Sequence, residues 1–295
     1  MKTTIVTHPG RAHRDDFLAV CWLLGDVTDS PEVYRREPTQ EDLDDSTVYV
    51  LDIGGQYDPR RRNFDHHQLP ADSPPTCALQ LLLEYELGTE VAHQTFPWLF
   101  VTGLFDSKGP RAVAEHFGIP IKSLGELASP LEALILGMFA DVAYLHPNDV
   151  LHKTMTQIGL AMWDRAETFG AAVKSVRTTV MKVEGLHVLV ADAQTVLDLK
   201  NSNYLPAIME IKRKQAVSNG FAPVCSISPN IDSRGPGWTI YRYDDNPMID
   251  LTRLCGHDLV TFTHANGFLA KVDPTADIRF LLDLVAFAVV PPLVP

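Results

Sequence analysis

Cysteine is scarce and unpatterned. Four residues, Cys21, Cys77, Cys225 and Cys255, in a chain of 295 give neither a C-x-x-C pair nor the density of a disulfide scaffold, so reduced and mostly buried thiols are expected. Long apolar runs are also missing. None approaches the roughly 20 residues of a membrane span, and the opening "MKTTIVTHPG" has neither the apolar stretch nor the small-residue cleavage site of a signal peptide. A cytoplasmic protein without a membrane partner is the expectation. Positive charge is in deficit, with 25 Lys and Arg against 37 Asp and Glu for a net charge of -12. That argues against nonspecific coating of nucleic acid, which needs many neutralised phosphates, but it is compatible with a local basic groove. Bound cations would offset part of the acidity. No G-x-S-x-G elbow, Walker glycine loop or G-x-G-x-x-G fingerprint occurs, so the serine-hydrolase, P-loop and dinucleotide-binding classes lack their motifs.

The patterning that is present is α/β. "TTIVT" (3–7) and "STVYVLD" (46–52) are β-branched runs that end in polar clusters. Between them, "DDFLAVCWLLG" places Phe17, Val20, Cys21 and Leu24 at helical spacing, with Gly25 as its cap. Mainly helical segments follow. The longest begins after Pro147, where Met155, Ile158, Met162, Ala166, Phe169, Val173, Val176 and Val180 mark one apolar face. Such a helix admits a homodimer. From about residue 184 strands and helices alternate again, and the length favours two domains. The expected organisation is an N-terminal domain, 1–182, with a parallel sheet flanked by helices, and a smaller α/β domain, 183–295. The site is expected in the cleft between them.

Four clusters carry the chemistry. "THPGRAHRDD" supplies His8, His13, Asp15 and Asp16 between a strand and a helix, and "VLDIGG" supplies Asp52 at a strand end. "NFDHHQ" supplies Asp65, His66 and His67 beside the run Arg60, Arg61 and Arg62, and "LFDSKGP" supplies Asp106. Imidazole with carboxylate is the ligand set of borderline-to-hard divalent ions, manganese foremost, with zinc, iron and magnesium as alternatives. A strand-end carboxylate such as Asp52 can bridge two ions. Two ions roughly 3.5 to 4 Å apart clamp an in-line phosphoryl transfer without any nucleophilic side chain. The bland readings stand beside these: Asp15 and Asp16 suit the first turn of any helix, and a short arginine run is usually solvated.

These clusters resemble the motifs of the DHH phosphoesterase superfamily. "THPGRAHRDDFLA" and "DIGGQYDPRRRNFDHHQ" resemble those of its melanocyte-proliferating-gene (Myg) family, and "LVTFTHANGFLA" resembles a later segment of that family. The resemblance implies a metal-dependent phosphodiester hydrolase, a 3′-5′ exonuclease on RNA or short oligonucleotides, using two divalent ions. It implies that His8, His13 and Asp52 hold one ion and that Asp15, Asp52, His66 and Asp106 hold the other. His67 would meet the phosphate oxygen, Asp65 would orient His66, and His264 and Gly267 would contact substrate; Arg62, in the arginine run beside such a phosphate site, is expected to draw in the anionic substrate. The chain departs from the family pattern at Gly103, where an acid is usual, at Ser107 for asparagine, at Arg14 for cysteine and at Asp16 for glutamate. The fourth-motif ligand is therefore open between Asp106 and Asp141. Two other functions compete: a phosphatase for a small phosphoester or pyrophosphate, and a metal-binding regulatory protein without turnover.

Overall fold

The computed structural model describes residues 3–26, 30–199, 202–230 and 235–291. The chain divides into two units, residues 1–170 and 171–295.

In unit 1 the order is β1 (Thr4–Thr7), α1 (Arg14–Asp26), β2 (Glu32–Arg35), α2 (Gln40–Asp44), β3 (Val48–Leu51), β4 (Tyr57–Asp58) and β5 (Asn63–Phe64). Then come α3 (Ala78–Leu87), α4 (Thr89–Thr95), α5 (Leu99–Phe117), α6 (Ile121–Leu127), α7 (Pro130–Ala140), β6 (Tyr144–Leu145) and α8 (Val150–Ser175). The sheet order is β4-β5-β3-β1-β2-β6. Its four inner strands are parallel, but both edges are antiparallel. The sheet is thus mixed, which corrects the expectation of a parallel one. The reason is local: Pro59–Arg61 form a single 3-10 turn and Arg62 takes a left-handed φ of 62°, and so short a connection can only join antiparallel neighbours.

Register positions the site. Thr7 pairs with Leu51 and Leu51 with Phe64, so the next residues, His8, Asp52 and Asp65, leave the carboxyl ends of three adjacent parallel strands. Ligand sites gather at such ends. Beneath them Ile5, Val33, Leu51 and Phe64 pack with Phe17, Val20, Trp22 and Leu24 of α1 and with Leu79 and Leu83 of α3. Gly25 does not cap α1, which runs on to Asp26. It lies against the backbone of Gly159 in α8, where a Cβ would overlap the crossing helix. The long helix itself stops at Ser175, and Val180 lies in a strand, so the apolar face predicted past that point belongs to two elements.

Unit 2 contains β7 (Thr178–Val183), β8 (Leu186–Ala191), α9 (Ala193–Leu197), α10 (Leu205–Ser218), β9 (Pro223–Asn230), β10 (Gly237–Arg242), β11 (Val260–Thr263), β12 (Leu269–Val272) and α11 (Ile278–Ala288). Its sheet order is β11-β12-β10-β9-β8-β7, with only β8 and β9 parallel. Leu281, Leu284, Val285 and Ala288 of α11 bury one sheet face. Cys21, Cys77 and Cys225 are buried free thiols and Cys255 is an exposed one. Among the described residues no single helix is long and apolar enough to cross a membrane; α6 and α7 reach that composition only as a pair bent by 84°.

Candidate metal centre

The loop after β1 brings His8 back over the sheet edge, where its Nε2 lies 3.3 Å from Asp16 Oδ2 and 3.5 Å from Asp52 Oδ2. Asp52 holds a left-handed φ of 58°, a conformation that aspartate tolerates better than most residues. Its other oxygen lies 3.1 Å from His66 Nε2. Asp15 and Asp16 are buried in the first turn of α1. Asp15 Oδ2 accepts from the Ala78 N–H at the start of α3, and Asp16 Oδ1 accepts from the N–H groups of His13 and Phe17. Asp106 arrives on α5, three residues before that helix breaks at Gly109 (φ 79°) and Pro110. Its carboxylate sits 2.7 Å from His66 Nε2 and 3.5 Å from His13 Nδ1.

Three overlapping groups have ligand atoms mutually within 4.8 Å: His8, His13 and Asp52; Asp52, His66 and His67; and His13, Asp15, Asp52 and Asp106. Asp52 belongs to all three. Five polar atoms here are buried without a hydrogen-bond partner: His8 Nε2, Asp15 Oδ1, Asp16 Oδ2, Asp52 Oδ1 and His66 Nε2. Buried polar groups are seldom left unmatched, and convergent imidazole nitrogens and carboxylate oxygens are what a hard or borderline cation takes. The residues fit a divalent ion at this site, and Asp52 is common to all three groups.

Left to the protein alone, the acids crowd one another. Burial, and then Asp52, Asp106 and Asp16, push the Asp15 carboxyl well above its usual range. Burial likewise lifts Asp16 to about 6, against the pull of His8 and Arg35. Burial would lower His66, but the carboxylates of Asp106 and Asp52 outweigh it and raise the imidazole to about 10. Asp106 is raised by burial and lowered more strongly by His13 and His66, so it stays ionised. A cation would replace these protons.

Asp65 accepts from the Gly55 N–H at 2.6 Å and from the His67 N–H at 3.0 Å, and its Oδ1 lies 2.7 Å from His67 Nδ1. Those contacts outweigh burial and lower its pKa. The ring that Asp65 orients is therefore His67, where the family resemblance assigned it to His66. Engaging Nδ1 leaves the exposed His67 ring its Nε2 for a ligand. A cavity of about 550 Å³ opens beside these groups, lined by His8, His13, Asp52, Asp65 and His67, together with Glu37 and Gln68.

Residues 4–73 match a family model, MYG1_exonuc, described as an uncharacterised protein family (UPF0160). The MYG1 exonuclease of Homo sapiens is 44% identical over 66 residues, which cover 22% of this chain and 17% of that protein. The MYG1 protein of Chlamydia trachomatis is 25% identical over 134 residues, 44% of this chain and 45% of that protein. Over this stretch the chain is similar to the MYG1 proteins. The matched segments span less than half of either relative. Among solved structures, a DHH domain described as a member of the s1p family of ribosomal proteins covers 97% of this chain and 86% of its own at 12% identity and a TM-score of 0.33. The pGpG-specific phosphodiesterase PggH of Vibrio covers 96% and 97% at 12% identity and a TM-score of 0.31.

Within the Myg frame, Asp106 stands in the cluster and Asp141 does not: Asp141 is exposed at the C-cap of α7. The departures at Gly103 and Ser107 have a packing cause. A Cβ at Gly103 would come within 2.7 Å of Gln80 Oε1 and 3.0 Å of Thr76 Cα. Ser107 Oγ meanwhile accepts from the Thr76 N–H, so this face of α5 docks on residues 76–80. Arg62 lays its guanidinium over the Tyr49 ring, 4.6 Å from the centroid, and does not line the cavity. In unit 2, His264 Nδ1 accepts from the Asn266 N–H and its ring lies 4.0 Å from that of Phe268. Gly267 has φ 65°, and a Cβ there would come within 2.5 Å of Asp250 Oδ1. Both residues thus have turn-building roles of their own.

Sequence reasoning missed Arg35 and, though it put Asp16 in the first cluster, gave it no ligand role. Arg35 is buried beside Asp16 Oδ2 at 3.5 Å and donates to the carbonyls of Gly10, Arg11 and Phe139. The signal was strand alternation: Arg35 follows Val33 by two, so a charged residue falls in the inward phase of β2.

Proposed function

We propose that the chain is a metal-dependent phosphodiesterase that shortens RNA or short oligonucleotides from the 3′ end, with manganese as its ion. The observation that supports it most is the sharing of Asp52 by all three ligand groups, since a bridging carboxylate is the mark of a two-ion site. Bound there, two ions would lower the pKa of a shared water and stabilise charge on the departing oxygen. The protein's own part is to hold them: His8, His13 and Asp52 on one side, and Asp15, Asp52, His66 and Asp106 on the other. His67, oriented by Asp65, offers Nε2 to a substrate oxygen. His264 and Gly267 are proposed as substrate contacts from the resemblance, and His264→Ala is expected to raise KM. The exonuclease reading draws on the printed name of the human relative.

The deciding experiment incubates 3′-labelled and 5′-labelled short RNA with the protein and manganese, beside Asp52→Asn. Stepwise loss from the 3′ end that the variant lacks is the expected result. Cleavage of a mononucleotide phosphodiester but not of RNA would move the assignment to a small phosphoester. Bound metal with no hydrolysis of any phosphoester would defeat the enzymatic reading.

A further inference from the structure

The sheet of unit 2 has two unlike faces. On one, Ile227, Ile240, Ala270 and Val272 pack in the core with α11. On the other, the alternating residues of the same strands are mostly polar, and the register sets Ser226 opposite Tyr241, Ser228 opposite Thr239 and Thr239 opposite Lys271. A polar face on a largely antiparallel sheet is ordinarily wet. Here α10 roofs it with Leu205 and Met209, and a cavity of about 610 Å³ is left between. The cavity is of a size that small-molecule sites use.

The residues that carry the hydroxyls on its floor are largely withdrawn from solvent. Ser226 is 4% and Ser228 8% exposed. Tyr243, 6% exposed, lines the same cavity, and its hydroxyl has no partner in hydrogen-bond geometry although Ser226 stands near it. Burial pushes that phenol up to about 12, so it remains able to donate and to accept. A buried hydroxyl left unmatched carries a desolvation penalty that a ligand can remove.

The two walls define the ligand. An occupant must be apolar over its faces, to lie under Leu205 and Met209, and must carry donors and acceptors along its edge for Ser226, Ser228 and Tyr243. A hydrocarbon chain would leave the hydroxyls unmatched. A bare sugar would set polar atoms against Leu205 and Met209, and a bare phosphate would in addition meet the Glu210 carboxylate of α10, while Lys271 on the floor already donates to Asn230 and Thr239. A heteroaromatic base has both properties, and the Tyr241 ring, 42% exposed, offers a surface on which it can stack. We propose that the cavity between α10 and strands β9, β10 and β12 is a binding site for a nucleobase or nucleoside. None of its residues belongs to the metal centre, and the inference does not rest on phosphoester hydrolysis.

The test is isothermal titration calorimetry of the full chain, without added metal, against the four ribonucleosides, ribose and inorganic phosphate. The same titrations are run on Tyr243→Phe, Ser228→Leu and Asp52→Asn. At least one nucleoside is expected to bind with one-to-one stoichiometry, and ribose and phosphate are not. Tyr243→Phe is expected to weaken binding by roughly 3- to 10-fold while unfolding at the same or a higher temperature, because the hydroxyl is unpaired in the empty fold. Ser228→Leu, which fills the floor, is expected to abolish binding, and Asp52→Asn to preserve it. The inference is overturned if no nucleoside binds at millimolar concentration, if Tyr243→Phe binds as tightly as the unmodified chain, or if Asp52→Asn loses binding. Should Ser228→Leu fail to fold, Tyr243→Phe decides alone.

Discussion

Arg35 and Asp16 form a buried ion pair, Nη2 to Oδ2 at 3.5 Å, directly beneath the loop that carries His8 and His13. Nη1 donates to the carbonyls of Gly10 and Phe139 and Nη2 to that of Arg11, and two of these, Gly10 and Arg11, lie inside that loop. Arg35 is thus a positioning residue for two candidate ligands that it never touches. Arg35→Met keeps volume but strands Asp16 and the carbonyls, and breaking a buried pair in this way costs about 3–5 kcal/mol. Thermal unfolding should fall accordingly, and manganese affinity of the folded variant should weaken, as read by calorimetry. Arg35→Lys restores charge without the planar fork and should recover affinity only in part. Undiminished affinity in Arg35→Met would remove the positioning role.

Metal binding should release protons. His66 is raised to about 10 in the cation-free protein, and His13 is raised mainly by its bond to Asp106. A histidine raised on folding contributes stability that is full below its unfolded value of about 6.5 and is lost as pH rises through the folded value. The protons therefore compete with a cation across neutral pH, and affinity should climb with pH by about tenfold per unit for each proton displaced. Titrations at pH 6 and pH 8, in buffers of different ionisation enthalpy, measure both quantities. Equal affinity at the two pH values would contradict the arrangement.

Strand patterning and the order of the motifs in the chain made the site's membership legible. His8 and Asp52 follow β-branched runs, and "DHH" follows a third, shorter strand; register then brings all three together. Two kinds of information lay outside that reading. One is close approach between elements: Gly25 looked like a cap because its contact with Gly159 joins residues far apart in sequence, and Gly103 looked like a lost acid although α5 packs on Thr76 there. The other is which partner a side chain selects. Asp65 could face either neighbouring histidine, and only the turn at Gly55, whose N–H takes the second oxygen, fixes it on His67.

The crossing of α1 and α8 gives a stability prediction independent of the metal. A Cβ at Gly159 would overlap the carbonyl oxygen of Cys21, which is backbone and cannot turn aside. Gly159→Ala should therefore destabilise unit 1 by about 1–3 kcal/mol or more, despite the better helix propensity of alanine. Denaturant unfolding checks this, and an unchanged or higher midpoint would show that the two helices are not in close contact.

Asp52 is where backbone and charge can be separated. Its φ of 58° suits asparagine nearly as well as aspartate, whereas alanine there carries left-handed strain of about 1–2 kcal/mol. Asp52→Asn also removes one of the charges that raise Asp15. Without metal, the asparagine variant should unfold at or above the temperature of the unmodified chain, and Asp52→Ala below it. With manganese the order should change: the unmodified chain gains stability by mass action, and neither variant should follow, because alanine has no ligand oxygen and asparagine keeps one neutral oxygen in place of a charged pair that faces both sides. A manganese-dependent rise in the unfolding temperature of Asp52→Asn as large as that of the unmodified chain would show that the ion is held without Asp52, and the bridging assignment would fall.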